Sequence, residues 1–195
     1  MSIKKMIVGM TGTLGGGKGT IVEFLKEAGF KHFSASKDCI NLEIMRRGLE
    51  INRDSMVLVA NDLRAQHGPG YVAEFLFEKA KKEEGHVIIE SIRTEGEVNS
   101  LRSRGKFILL AVDANPKIRY ERIRLRKSSK DNVSFEKFIE DEKREFTSTD
   151  PNKQNLSRCI ELANYKIDNN GTLEQLKQKT NEFLRWLEDE QTKLG

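Results

Sequence analysis

The sequence predicts an α/β fold, a five-stranded parallel sheet between two layers of helices. Three observations carry this. Short apolar runs of strand length alternate with longer stretches of helical period, the pattern of strand–helix units and a parallel sheet. The first run, Met6-Ile7-Val8, leads into the glycine-rich stretch Gly12-Thr13-Leu14-Gly15-Gly16-Gly17-Lys18-Gly19-Thr20, and the helical pattern Ile21-Val22-Glu23-Phe24-Leu25 follows. Gly12, Glu90 and Asp113 all fall at the carboxyl ends of predicted strands, where such sheets bind ligands.

The elements follow in order. Residues 5–9 form the first strand, central and buried because its apolar run is continuous. A helix covers 17–28 and stops at Gly29, a natural C-terminal cap. Residues 32–35 are a second, weaker strand, and 38–47 a helix ending near Gly48. A helix over 54–66 takes its apolar positions from Met56, Val57, Val59, Ala60 and Leu63, and Gly68-Pro69-Gly70 breaks it. Another spans 71–84, with Val72, Phe75, Leu76 and Ala80 at helical spacing. Three helices thus separate strands two and three, and this insert, 38–84, is where an acceptor pocket is expected.

The third strand, 86–90, is apolar until it ends on Glu90. Helix 94–104 and strand 106–112 follow, and Asp113-Ala114-Asn115-Pro116 opens the next helix with Pro in its first turn. Residues 127–132 read as a polar loop, 134–146 as a charged helix capped by Ser134, and 147–151 as a break. Helix 156–163, strand 165–168 and the turn Asn169-Asn170-Gly171 precede a last helix capped by Thr172. Leu173, Leu176, Phe183, Leu184 and Leu187 are expected to pack inward from it, and Trp186 reads as packing on an amphipathic helix.

A chain of 195 residues supports one domain with a real core. The net charge of +4 is modest, and the basic cluster at 119–130 serves a nucleotide's phosphates more simply than a nucleic acid. Cys39 and Cys159 lie far apart in no metal or redox spacing, which fits a reducing compartment. The first apolar run is too short for a signal peptide or a membrane span. A cytoplasmic protein is expected, monomer or homodimer, without a membrane or nucleic-acid partner.

Gly12, Gly17 and Lys18 fit the phosphate-loop template G-x-x-x-x-G-K. Small residues let successive backbone N–H groups of Gly12 to Thr20 turn inward around a polyphosphate, and the following helix aims its positive end at the same anion. Lys18 reaches the β- and γ-phosphates of ATP, and Thr20 serves the metal or a phosphate oxygen. Gly19 departs from the template's Ser or Thr, which passes metal contact to Thr20 or to water. Glu90 stands where a carboxylate holds Mg²⁺ directly or through water. Arg93, three residues on, grips an acceptor phosphate. Arg122 and Arg126, four apart, share one helix face and complete a charge clamp, while Arg119 and Arg124 point elsewhere. The segment 127–158 reads as a lid. Arg144 and Arg158 travel with it, although solvated helix charges are the plainer reading.

Gly9 through Lys18 resembles the opening of dephospho-CoA kinases, and Lys18-Gly19-Thr20 resembles the adenylate kinase form, which also has Gly after the Lys. Ile89-Glu90-Ser91-Ile92-Arg93 is similar to the Asp-Gly-x-Arg-like element of these kinases. The stretch from Asp113 to Arg126 resembles the adenylate kinase helix that enters the lid. The turn through Asn170 and Gly171 resembles the one beside the adenine. The resemblance implies the P-loop NTPase three-layer sandwich with an acceptor insert and a lid, ATP and Mg²⁺ as cofactors, Arg122 near the adenine and Arg126 at the γ-phosphate. Dephospho-CoA kinases carry Asp-Ala-Asp after strand two, where Ser34-Ala35-Ser36 stands here and Asp38 is the nearest carboxylate. An acceptor phosphate needs no base, whereas a hydroxyl benefits from one. This tilts the expectation towards a nucleoside monophosphate. The Arg that adenylate kinases place nearby is Asn41 here, with Arg46, Arg53 or Arg64 as replacements. Two rivals remain: dephospho-CoA kinase-like phosphorylation of a hydroxyl, and a regulatory or assembly ATPase acting with a protein or RNA. No Asn-Lys-x-Asp element supports a GTPase switch.

Overall fold

The computed structural model describes residues 5–126 and 133–193. Five strands, β1 (Ile7–Gly12), β2 (Lys31–Ser34), β3 (Val87–Glu90), β4 (Phe107–Asp113) and β5 (Tyr165–Asp168), form one sheet in the order β2-β3-β1-β4-β5. Every pairing is parallel. The chain winds from β1 out to β2, returns through β3, and continues on the other side, so the sheet's switch point lies at β1. That end of β1 is where the glycine-rich loop begins.

The helices among the described residues are α1 (Lys18–Glu27), α2 (Asn41–Arg46), α3 (Arg53–His67), α4 (Tyr71–Ala80), α5 (Glu95–Ser103), α6 (Pro116–Leu125), α7 (Phe135–Phe146), α8 (Leu156–Glu161) and α9 (Leu173–Lys193). None is long and apolar enough to cross a membrane. The alternation of β1 feeds two cores. Val8 and Met10 join Ile21, Val22 and Leu25 of α1 and Leu176, Phe183 and Leu187 of α9. Ile7, Ile89 and Leu109 face Ala60, Leu63, Val72, Leu76, Leu101 and Cys159 on the other side. Burying each Val, Leu, Ile, Phe or Met among these stabilises by roughly 1.5–3 kcal/mol. The Cys39 and Cys159 thiols are free and buried, which pushes them up to about 11 and about 12.

Most differences from the expected elements lie at ends. β1 runs on to Gly12 because its register with β4 continues to Gly12 opposite Val112. The helix expected at 38–47 starts earlier, as a π turn over Ser36–Ile40 that passes into α2. α4 stops at Ala80, where Lys5 Nζ takes the carbonyls of Ala80 and Glu83. Leu173 does not pack inward: it is the first residue of α9 and 65% exposed. Trp186 packs against Tyr165 and Phe183. The polar loop expected at 127–132 lies outside the described residues, and so does that part of the lid. The remainder is packed: Phe138 of α7 is fully buried, beside Tyr120 and Arg119 of α6.

Candidate active site

β1 leaves the sheet at Gly12, whose φ is +131°, and a Cβ there would fall 1.9 Å from the Val112 carbonyl oxygen. Only glycine permits this exit. The loop closes at Gly17, φ +107°, where a Cβ would meet the Asn169 amide nitrogen at 2.2 Å. Three partners hold the loop from outside. The Thr13 hydroxyl donates to Asp113 at 2.5 Å, Asn169 Nδ2 donates to the Gly16 carbonyl at 2.9 Å, and Arg119 donates to the Leu14 carbonyl at 3.3 Å. Arg119 does point away from Arg122 and Arg126, and the structure adds where it goes. It points inward from α6, 3% exposed, and its guanidinium also binds the Ala114 carbonyl and Glu142 of α7.

Gly17 caps α1, so the backbone N–H groups of Lys18 and Gly19 start a helix and have no partner within it. They and the helix dipole make an anion cradle. Gly15 and Gly16 lie buried in the loop, Leu14 lines the neighbouring cavity, and Thr20 sits half-buried on the first turn. A Cβ on Gly19 would meet nothing within 4 Å, so nothing in the structure explains Gly at that position. Lys18 Nζ donates to the carbonyls of Gly12 and Thr13, both at 2.8 Å. Burial, then the Arg93 cation, lowers its pKa to about 7, with Glu90 and Glu145 opposing and Arg126 adding to the fall. Four charges expected or found at the site therefore act on Lys18 together.

Glu90 ends β3 beside Met10, and its Oε2 lies 3.1 Å from His32 Nε2 of β2. Burial pushes its carboxyl up, but the His32 hydrogen bond and the Lys18 and Arg93 cations outweigh this and hold it below the usual range. Glu90 is thus an ionised carboxylate near Lys18. Among the described residues no three His, Cys, Asp or Glu side chains cluster to hold a metal. Mg²⁺ needs only one or two carboxylates when phosphates and waters complete its shell, and Glu90 with the Thr20 hydroxyl fits that donor set.

After Glu90 the chain turns sharply at Ser91, φ +74°, and the N–H groups of Ser91 and Ile92 both bind the Met10 carbonyl at 3.0 Å. This delivers Arg93 to a cavity of about 200 Å³, whose other walls include Arg53, Met56, Ala60 and Arg64 of α3 and Glu145 of α7. Arg93 Nη1 donates to Glu145 Oε2 at 3.0 Å and to Gln154 at 2.9 Å, and Arg53 Nε donates to Glu145 Oε1 at 2.9 Å. Arg64 lines the same space but is engaged: it is 1% exposed and pairs with the equally buried Glu97 at 2.9 Å. Glu97 in turn accepts the Arg93 and Thr94 N–H groups, so the pair anchors the Arg93 backbone.

The other expected site residues divide. Arg46 stands apart from this cavity, 74% exposed and paired with Glu43 on its own helix. Asp38 folds back to accept the Ser34 N–H at 2.7 Å, and Ser36, not Asp38, lines the cavity. Arg122 donates to the carbonyls of Asn169 and Gly171 at 2.9 and 3.3 Å, and Asn170 accepts the Asn115 N–H. The turn after β5 is thereby tied to α6. Burial, then Arg126, lowers the Arg122 pKa. Arg126 is exposed at the end of α6. Arg144 pairs with Asp54, and Arg158 with Glu95 and Glu161, all outside the cavity wall. Sequence reasoning missed His32, Glu145, Gln154 and Asn169 as site residues. Glu145 and Gln154 lie within the segment read as a lid and Asn169 within the turn after the last strand, but the sequence gives none of them a site role.

The parallel sheet, the glycine loop at its switch point and the lysine that opens α1 define a P-loop NTPase of kinase-like fold. An AAA-domain sequence pattern, AAA_18, matches residues 8–148. A UPF0200 protein of Methanococcus vannielii is 30% identical over 183 residues, 92% of this chain and 95% of that one. A UPF0200/UPF0201 protein of Archaeoglobus fulgidus is 28% identical over 189 residues, 94% of this chain, and the chain spans about half, 56%, of its length. The chain belongs to the AAA_18 AAA-domain family and to the UPF0200 proteins. Among solved structures, TT1252 from Thermus thermophilus has a TM-score of 0.61 at 21% identity, covering 94% of this chain and 98% of that one. A gluconokinase from Sinorhizobium meliloti has a TM-score of 0.56 at 14% identity, covering 96% and 95%. A shikimate kinase from Acinetobacter baumannii has a TM-score of 0.54 at 17% identity, covering 93% and 94%. These three likenesses concern the fold alone.

Proposed function

We propose that the protein is an ATP-dependent small-molecule kinase that transfers the γ-phosphoryl group to a nucleotide-type acceptor, most simply a ribo- or deoxynucleoside monophosphate. The observation that carries this is the pair Arg53 and Arg93 in a cavity beside the Lys18 loop, both turned onto one oxyanion group. Residues 12–20 hold the triphosphate, and Lys18 leaves the Gly12 and Thr13 carbonyls to meet it. Mg-ATP, when bound, supplies the phosphoryl group, with Thr20 and Glu90 serving the metal. Arg122 and the turn at Asn170 and Gly171 border the base, and Arg126 meets the γ-phosphate. Arg93 and Arg53 bind the acceptor's own phosphate, for which a guanidinium fork is matched. The kinase names of two fold neighbours support phosphotransfer to a small molecule. The reading is of a cytoplasmic enzyme, monomer or homodimer, with 127–158 as its lid.

Incubation with Mg-ATP and a panel of nucleoside monophosphates plus dephospho-CoA, with product masses measured, tests this. A nucleoside diphosphate should form fastest. Arg93→Ala should raise the acceptor KM by about 10–100-fold, the loss of a hydrogen-bonded charge contact, while sparing ATP. If dephospho-CoA alone is phosphorylated, the monophosphate reading fails and Asp38, now tied to Ser34, must be freed to act as base. A second reading rests on a different observation. Leu42, Met45, Leu49 and Leu58 of the helical insert are 42–56% exposed, an apolar face suited to a protein partner of a regulatory ATPase. ATP hydrolysis stimulated by such a partner, with no acceptor phosphorylated, would select it.

A further inference from the structure

The Glu145 side chain is only 6% exposed, although it comes from a strongly charged helix. Its two oxygens are divided between two arginines from different elements. Oε1 accepts Arg53 Nε at 2.9 Å and lies 2.8 Å from Nη2, and Oε2 accepts Arg93 Nη1 at 3.0 Å. Among the described residues, Arg53 approaches one further carboxylate, Asp141, at 3.9 Å, and the other side chain Arg93 hydrogen-bonds is the neutral Gln154. The third arginine of the cavity, Arg64, is neutralised by Glu97. Remove Glu145 and two guanidinium groups face an otherwise largely apolar space of Ile40, Met56, Val57 and Ala60. Two forks converging on one carboxylate are also how a protein holds a ligand's phosphoryl or carboxylate group.

Size points the same way. The cavity, about 200 Å³ with Glu145 in its wall, is smaller than the ~300–1,000 Å³ of ordinary ligand clefts. A nucleotide-sized acceptor needs part of the wall to give way; α7 carries Glu145, the wall residue an incoming anion competes with, and withdrawing Glu145 alone would strand two partly buried cations.

We propose that Glu145 is an internal stand-in for the acceptor: an oxyanion of the acceptor, phosphoryl or carboxylate, replaces the Glu145 carboxylate between Arg53 and Arg93 as α7 moves aside. This rests on the acceptor-site reading above and adds a selection rule. An acceptor without an anion cannot replace the Glu145 carboxylate, so neutral alcohols are not held between Arg53 and Arg93.

Calorimetric titration of the full chain with inorganic phosphate, and separately with acetate, in the absence of nucleotide, tests it. Glu145→Gln should bind one of them at least about 10-fold tighter than wild type, as expected when a competing charged contact is removed. The gain should vanish in Glu145→Gln combined with Arg53→Gln; Glu145 also acts on Lys18, so the single and double variants, which share that loss, are compared with each other and phosphate at the Lys18 loop is then common to both. A gain for phosphate alone assigns a phosphoryl group, and a gain for acetate alone a carboxylate. No gain for either, in a variant that melts cooperatively, overturns the proposal. A second measurement needs no variant: α7 amides of wild-type protein should exchange faster as either anion is raised, and unchanged exchange also overturns it. Products from the acceptor panel without a gain in Glu145→Gln would sink the stand-in and leave the kinase. A gain without any product would do the reverse.

Discussion

Lys18 is a lysine that its own loop holds. Its ammonium is bound by two carbonyls, yet burial and Arg93 bring its pKa down to about 7. In the unfolded chain the group titrates near 10.5. Between those values the folded protein binds fewer protons than the unfolded one, so this residue makes stability rise with pH across that window. A bound triphosphate reverses the field and returns the group towards its ordinary value. Mg-ATP binding should therefore take up close to one proton at pH 8 to 9 and far less at pH 6, where the ammonium is already formed. Calorimetry in buffers of different ionisation enthalpy reads this directly. Lys18→Met should stay folded and abolish the uptake. Uptake that persists in the variant would assign the proton elsewhere.

The loop and α1 behave as one element, and their glycines are not equivalent. Gly17 has φ +107° and no room for a Cβ, whereas Gly19 is exposed, helical and surrounded by open space. Gly17→Ala should cost at least about 1–3 kcal/mol from backbone strain and the Asn169 clash. Gly19→Ala should instead gain about 0.5–1 kcal/mol, because glycine in a helix loses more conformational freedom. Urea denaturation without nucleotide decides, and equal stability of the two variants would refute the assignment of the loop geometry. Both elements were legible in the sequence, since a template and a hydrophobic period are local signals. So were all five strands and their alternation with helices. Arg119 was not: its place on α6 relative to Arg122 and Arg126 could be read, but not that its own face meets Leu14, 105 residues away. The acceptor side was still less legible. Arg93 stood in a recognisable position, but its partner Glu145 is 52 residues distant and Arg53 is 92 from Glu145. No spacing rule reaches across such separations; only the folded chain brings them together.

Across the whole molecule, α7 touches both the contacts that hold the glycine-rich loop and the cavity proposed for the acceptor. Glu142 binds Arg119, which holds the Leu14 carbonyl of the nucleotide loop. Glu145, three residues on and so on the same helix face, binds Arg53 and Arg93 at the cavity proposed for the acceptor. Phe138, one turn before Glu142, pins the helix against α6. A helix held at both ends moves as one body, so a nucleotide that shifts the loop alters the contact that an acceptor must displace. Binding of a non-hydrolysable ATP analogue and of a nucleoside monophosphate should then be coupled, by a factor in the ~5–150-fold range usual for linked sites. Linkage requires the same factor whichever ligand is added first. Glu142→Gln weakens the grip on Arg119 without touching the acceptor cavity, and should bring the factor close to one while leaving monophosphate affinity in the absence of the analogue unchanged. Paired calorimetric titrations of wild type and variant measure it. An undiminished factor in Glu142→Gln would mean that the two sites communicate through Lys18 and Arg93 directly, and that α7 only covers them.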